Sequence, residues 1–161
     1  MPLSETLAAF QSLKKAGDIR DYGVSNFDLD DMEEAISLPG GDEIVTDQVL
    51  YNLMNRGIEW DLLPWCRARD IPIMAYSPIE QRGMLQNPHL KEIAARHNAT
   101  PTQVALAWLL HQDAIAIPKA SNPAHIRENR AALDLTLTTV DLMELDRTFP
   151  PPYRKMALAI R

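Results

Sequence analysis

The chain has 161 residues, 46% of them apolar and 24% charged, a mixture that describes a globular domain and excludes a disordered, collagen-like or coiled-coil chain. Lys and Arg number 16 against 22 Asp and Glu, a formal charge of −6, which argues against a nucleic-acid backbone as partner. No stretch approaches the roughly 18 apolar residues of a membrane helix, and the length falls short of the roughly 200–250 residues of a complete eight-stranded βα barrel. A single cysteine allows no internal disulfide and fits a reducing compartment. The start has no basic region and no long apolar run, so no signal peptide is recognisable and a cytoplasmic location is expected.

Short strand-like runs alternate with amphipathic helices. Leu3, Leu7, Phe10 and Leu13 recur at helical spacing, and Gly17 follows where a C-terminal cap belongs. Ile19 to Ser25 reads as a strand. Asp28 is placed to cap a helix carrying Met32, Ala35 and Ile36, which Pro39-Gly40-Gly41-Asp42 ends. Ile44 to Leu50 is the second strand. Trp60, Leu63 and Cys66 mark a helical face running to about Asp70, and Ile71 to Tyr76 is the third strand, a nearly continuous apolar run.

A polar loop is expected from Ser77 to Asn87. Asn87-Pro88 then pairs a cap with a proline at the first helical position, for a helix to about His97. Thr100-Pro101-Thr102-Gln103 is a capping box opening a helix with Val104, Leu106, Ala107, Trp108 and Leu110. Ala114 to Ile117 is a short fourth strand. Asn122-Pro123 caps a helix through about Leu133, and a last helix starts at Thr138 or Thr139 and carries Leu142, Leu145 and Phe149. Pro150-Pro151-Pro152 closes it, leaving a tail, Tyr153 to Arg161, that either docks or frays. Such alternation implies parallel pairing with right-handed crossovers. Four βα units fit an open α/β sheet or half of a βα barrel, and the pattern alone does not separate the two.

Five segments in order, spread over nearly the whole chain, resemble the aldo-keto reductases. They are Gly23-Val24-Ser25-Asn26-Phe27, Asp47-Gln48-Val49-Leu50-Tyr51-Asn52, Ala75-Tyr76-Ser77-Pro78, Thr100 to Trp108, and Ile117-Pro118-Lys119-Ala120-Ser121-Asn122-Pro123. The stretch Tyr51 to Glu59 is most similar to bacterial methylglyoxal-reductase-like members. The resemblance implies an α/β fold, the C-terminal half of a (β/α)8 TIM barrel, with four parallel strands alternating with helices in one domain over residues 1–161. The family binds NADP(H) and reduces carbonyls of small aldehydes and ketones. Its catalytic Asp, Tyr, Lys and His lie on the first half of the barrel, and no position here matches them.

What the resemblance assigns to this half is cofactor binding. Ser25, Asn26 and Gln48 fall on the nicotinamide carboxamide, for which hydroxyl and amide side chains offer both donors and acceptors. Tyr76 resembles the aromatic ring that stacks on the nicotinamide, and Ser77 a pyrophosphate ligand. Lys119, Ser121 and Asn122 match the adenosine 2′-phosphate region, where a helix start with free N–H groups beside an ammonium attracts phosphate. His125 stands where many members carry Arg, so NAD(H) stays open beside NADP(H). Glu128 and Asn129 match adenine contacts. Read without the resemblance, these same residues are turn and capping punctuation, a core tyrosine and a solvated charged helix.

No zinc-ligand spacing, Walker loop or G-x-S-x-G occurs. Four strands standing alone would leave two open parallel edges and an apolar inner face. A homo-oligomer, or association with the missing first half, is therefore expected. The alternative is a stand-alone half-barrel without catalysis, serving as an oligomerising or nucleotide-binding module.

Overall fold

Four strands, β1 (Tyr22–Ser25), β2 (Ile44–Leu50), β3 (Ile73–Tyr76) and β4 (Ile115–Ala116), pair in the order β1-β2-β3-β4, every pair parallel. The computed structural model describes residues 2–79 and 83–161, so residues 80–82 of the expected Ser77–Asn87 loop lie outside the described residues. Among the described residues seven α-helices accompany the strands: α1 (Leu3–Ala16), α2 (Leu29–Ser37), α3 (Leu62–Arg67), α4 (Pro88–Arg96), α5 (Pro101–His111), α6 (Pro123–Ala131) and α7 (Thr139–Thr148). The strand order advances one way without a reversal. A doubly wound sheet reverses its order to place helices on both faces. One-way winding with right-handed crossovers keeps every connecting helix on one side, as in an arc of a βα barrel.

The pairing register sorts side chains between the two faces. Parallel partners point the same way, and neighbours along a strand point oppositely. Val24, Asp47 and Ile73 form one row, and Val49, Ala75 and Ala116 another. These rows lie under the helices, where Asp47, Val49, Ile73 and Ala75 are buried. Ser25, Gln48, Met74 and Ile115 form the opposing row on the helix-free face, where Ser25 and Ile115 are exposed and Gln48 and Met74 half-buried. The main core is continuous beneath the sheet and includes Leu7, Met32, Leu62, Cys66, Ile93, Val104, Trp108 and Leu145.

Helix starts follow the expected caps. Asp28 with Asp31, Thr100 with Gln103 and Thr138 with Asp141 each close a capping box, and Asn87 and Asn122 cap α4 and α6. β2 keeps its expected limits, whereas β1, β3 and β4 are shorter than expected, for local reasons. Gly17, at φ +84°, ends α1 in the left-handed region, and the chain bends before joining the sheet at Tyr22. Pro72 has no N–H for a ladder, so β3 starts at Ile73. Pro118 likewise stops β4, although the Ile117 N–H still reaches the Ala75 carbonyl at 3.3 Å. The helical face marked by Trp60, Leu63 and Cys66 divides into a 3-10 turn, Gly57–Glu59, and α3. The helix expected through Leu133 ends at Ala131 and tightens into a 3-10 turn, Ala132–Asp134.

One buried cation ties the last helix to the loop after β2. Arg56 pairs with Glu59 through Nε and Nη2 at 2.8 Å each, with Asp146 at 2.7 Å and with the Phe149 carbonyl at 2.6 Å. Its guanidinium also lies 5.0 Å from the ring centroid of Trp108. Arg56→Met removes the cation and leaves the mostly buried Glu59 carboxylate without it, so an unfolding free-energy loss of about 3 kcal/mol is expected by urea denaturation. Thr100→Ala, which removes a cap alone, costs about 1 kcal/mol in the same experiment.

Candidate functional site

The helix-free face ends, at the C-terminal tips of β1, β2 and β3, in a cluster of polar side chains. Gln48 lies in the second half of β2, pointing away from the core because Asp47 and Val49 point into it. The backbone after β1 turns sharply back onto β2: the Asn26 N–H donates to the Gln48 carbonyl at 2.9 Å, and Ser25 Oγ donates to the same oxygen at 3.0 Å. Asn26 sits at φ +57° and Ser77, after β3, at φ +47°. Two non-glycine residues in the left-handed region at the ends of the two strands that flank β2 are held there by their surroundings, a pattern associated with binding sites. Tyr76 joins them, its hydroxyl donating to Asn26 Oδ1 at 3.1 Å, and the Ser77 carbonyl accepts from Asn52 Nδ2 at 2.9 Å. Ser25, Asn26, Gln48, Tyr76 and Ser77 thus share one edge of the face. The partner of Gln48 Nε2 is the thioether of Met74 at 3.0 Å, a weak acceptor that a better one displaces.

The second group of candidates lies beyond β4. Lys119 Nζ donates to Ser121 Oγ at 3.1 Å, and both residues are exposed beside the start of α6. Asn122 Oδ1 accepts from the Ala124 N–H at 2.9 Å, so that oxygen is engaged in capping. Glu128 is doubly held, accepting from Thr100 Oγ1 at 2.6 Å and meeting His125 Nδ1 at 3.2 Å. Asn129 is half-buried on the same helix. The sheet links the two groups where β4 pairs with β3.

The C-terminal tail docks. Leu158 packs against the core, Lys155 pairs with Asp30 at 3.3 Å and Asp61 at 3.7 Å, and the Arg161 N–H donates to the Tyr76 hydroxyl at 3.2 Å. Between the tail and the tips of β1 and β2 lies a cavity of about 560 Å³ lined in part by Asp28, Leu50, Met54, Asp61, Pro151 and Met156. The motif reading also passed over Asp47, which is fully buried with neither carboxyl oxygen hydrogen-bonded among the described residues. Part of the signal was available: Asp47 and Val49, two apart on a strand, share one face, although the register shift ahead of Asp47 puts Ile44 and not Val45 in the core with them. Tyr22 and Tyr51 are occupied structurally, their hydroxyls donating to the Gly40 carbonyl and to Glu59. Burial pushes the Tyr51 phenol far above its ordinary value. Among the described residues no cluster of His, Cys, Asp and Glu could hold a metal ion, and no helix is long and apolar enough to cross a membrane.

Residues 1–148 match the model of the Aldo/keto reductase family. Methylglyoxal reductase YeaE of Escherichia coli is 49% identical over 160 residues, covering 96% of this chain and 56% of that protein. Methylglyoxal reductase DkgB of Salmonella typhi is 34% identical over 86% of this chain and 51% of its own length. An aldo-keto reductase from Klebsiella pneumoniae in complex with NADPH superposes with a TM-score of 0.96 at 41% identity, covering all of this chain and 59% of that one. The same comparison with a Klebsiella pneumoniae aldo/keto reductase holding NADP and acetate gives 0.97. The chain thus spans little more than half the length of these relatives.

The left-handed turn at Ser77 separates backbone from side-chain effects. Ser77→Gly is expected to leave stability within about 0.5 kcal/mol, because glycine accepts the positive φ but gains freedom in the unfolded chain. Ser77→Val costs about 1–2 kcal/mol, since a β-branched residue resists that conformation. Thermal denaturation of the two variants beside the parent checks both.

Proposed function

The chain belongs to the aldo/keto reductase family, and from that premise we propose that it forms the NADP(H)-binding half of a carbonyl reductase. The observation that carries the reading is the convergence of Ser25, Asn26, Gln48, Tyr76 and Ser77 on one strand-end edge, with strained backbone at two of them. The donor set suits the group. Ser25, Asn26 and Gln48 supply the hydroxyl and amides that orient a nicotinamide carboxamide, and the Tyr76 ring supplies a flat floor for the nicotinamide. Ser77 and its backbone hold the pyrophosphate. Lys119, Ser121 and the α6 start attract the 2′-phosphate, while His125 is a weaker cation than the arginine common in the family. Asn122, Glu128 and Asn129 complete the adenosine end. When bound, the nicotinamide supplies the hydride for a carbonyl carbon; the residues of this chain orient it and leave one face open.

Protonation of the carbonyl oxygen needs an acid that this half does not carry, since the family's Asp, Tyr, Lys and His match none of the 161 positions. Reduction therefore requires the four βα units that bear them. The substrate class is a small aldehyde or ketone, with methylglyoxal first to be tried because both curated relatives described above are methylglyoxal reductases. A second reading, a non-catalytic module that associates through its open face, is favoured by the unpaired β1 and β4 edges and by exposed Ile115 and Ile117. Its form is a two-fold homo-oligomer in which two such faces cover one another.

Titration of the purified chain with NADPH, followed by fluorescence, tests the first reading. Saturable binding is expected, weaker for NADH, and Lys119→Ala loses about tenfold in affinity as a charge-assisted phosphate contact goes. Absence of saturation at millimolar cofactor overturns it. Sedimentation velocity decides the second reading: a well-folded monomer at micromolar concentration excludes the oligomer.

A further inference from the structure

Asp47 lies on the core side of β2, directly behind the strand-end edge. Its row neighbours are Val24 and Ile73, it is 0% exposed, and neither carboxyl oxygen makes a hydrogen bond among the described residues. Native proteins pair buried carboxylates, because an unpaired buried charge costs several times what a hydrogen bond returns. The groups that face Asp47 do little to satisfy it. From the turn after β1, the Phe27 backbone N–H favours the ionised form; from α2, the Asp31 carboxylate opposes it. From α3 comes Cys66, itself buried and pushed up to about 12, with Arg69 beyond it acting on the thiol. Burial outweighs the Phe27 N–H and raises Asp47 from 3.8 to about 7.

The position matters because of its neighbours in sequence and register. Asp47 pairs with Val24 and Gln48 with Ser25, so the same two-residue step of β2 supports the Ser25–Asn26–Phe27 turn. We propose that Asp47 is a positioning residue for this turn: neutral, it fills the apolar row and lets the turn close on β2; ionised, it loosens the packing of β2 against α2 and α3. Its effect on cofactor rests on the nicotinamide reading above, but the device itself belongs to the fold. The direction follows from linkage. An acid that holds its proton more tightly when folded is most stabilising in acid. Its contribution falls as pH rises from about 4 towards 7 and changes no further above that.

Hydrogen-exchange protection of the Asn26 amide, whose acceptor is the Gln48 carbonyl, corrected for intrinsic rates, tests the proposal in the full 161-residue chain and in Asp47→Asn. In the parent, protection is expected to fall by up to about tenfold per pH unit between pH 5 and 7 and then level off. In Asp47→Asn, of the same shape but without the titration, it stays flat. The Asp47 carboxyl resonance of the parent, which needs no variant, should titrate near neutrality. Equal slopes in both proteins, or a carboxyl titrating in the ordinary acid range, overturn the proposal. NADPH titration alongside separates the two readings. A pH-linked turn without NADPH binding keeps the role of Asp47 and removes the cofactor reading; NADPH binding with equal slopes does the reverse.

Discussion

The period of two along β2 governs the rest of the molecule. The strand is the second of four, paired on both sides, with helices beneath it and none above. A register shift in its first half puts Ile44 and Asp47 both in the core, and from Asp47 to Val49 each residue is committed to core or open face by its parity. Val49 and Asp47 go down and Gln48 comes up. A slip of one residue would bury the amide of Gln48 and expose Val49, and would separate Gln48 from Ser25. Both the core and the polar edge rest on that register, which the apolar rows either side of β2 hold.

Strand ends do a different task from strand centres. Pro72 and Pro118 limit β3 and β4, and the backbone beyond β1 and β3 enters the left-handed region at Asn26 and Ser77. Those turns aim side chains along the edge of the face instead of continuing the ladder. Their conformations are unfavourable alone and are retained by the contacts around them: two hydrogen bonds to the Gln48 carbonyl, one from Tyr76 to Asn26 and one from Asn52 to Ser77. Local strain sits where the ligand contacts are placed, supported by regular structure on either side.

Helix starts were legible because capping is local chemistry. Asp28, Asn87, Thr100, Asn122 and Thr138 each meet a backbone N–H within three residues. Strand number and parallel sense were legible from alternation, whereas barrel arc against doubly wound sheet required the observed strand order. The site residues on the strand ends were legible through their motifs, and their convergence needed the register. The tail was not legible. Lys155 meets Asp30 across 125 positions and the Arg161 N–H meets Tyr76 across 85, distances at which composition carries no information. Asp47 stood inside a quoted motif, yet its environment depends on which neighbours α2 and α3 bring against it.

The tail also connects the two ends of the chain's energetics. Arg56 fixes α7 through Asp146 and the Phe149 carbonyl, immediately before Pro150-Pro151-Pro152. The prolines cannot continue the helix and stiffen the exit, so the direction in which the tail leaves is set by the buried cation behind it. Lys155 then holds the tail over the tips of β1 and β2 through exposed or half-exposed carboxylates, in pairs of the kind worth little in water. Leu158 packs against the core beyond it, so the tail is anchored at its root and again near its end. There the Arg161 N–H donates to the Tyr76 hydroxyl, which also holds Asn26, so the position of the tail and the setting of the strand-end edge share one hydroxyl group.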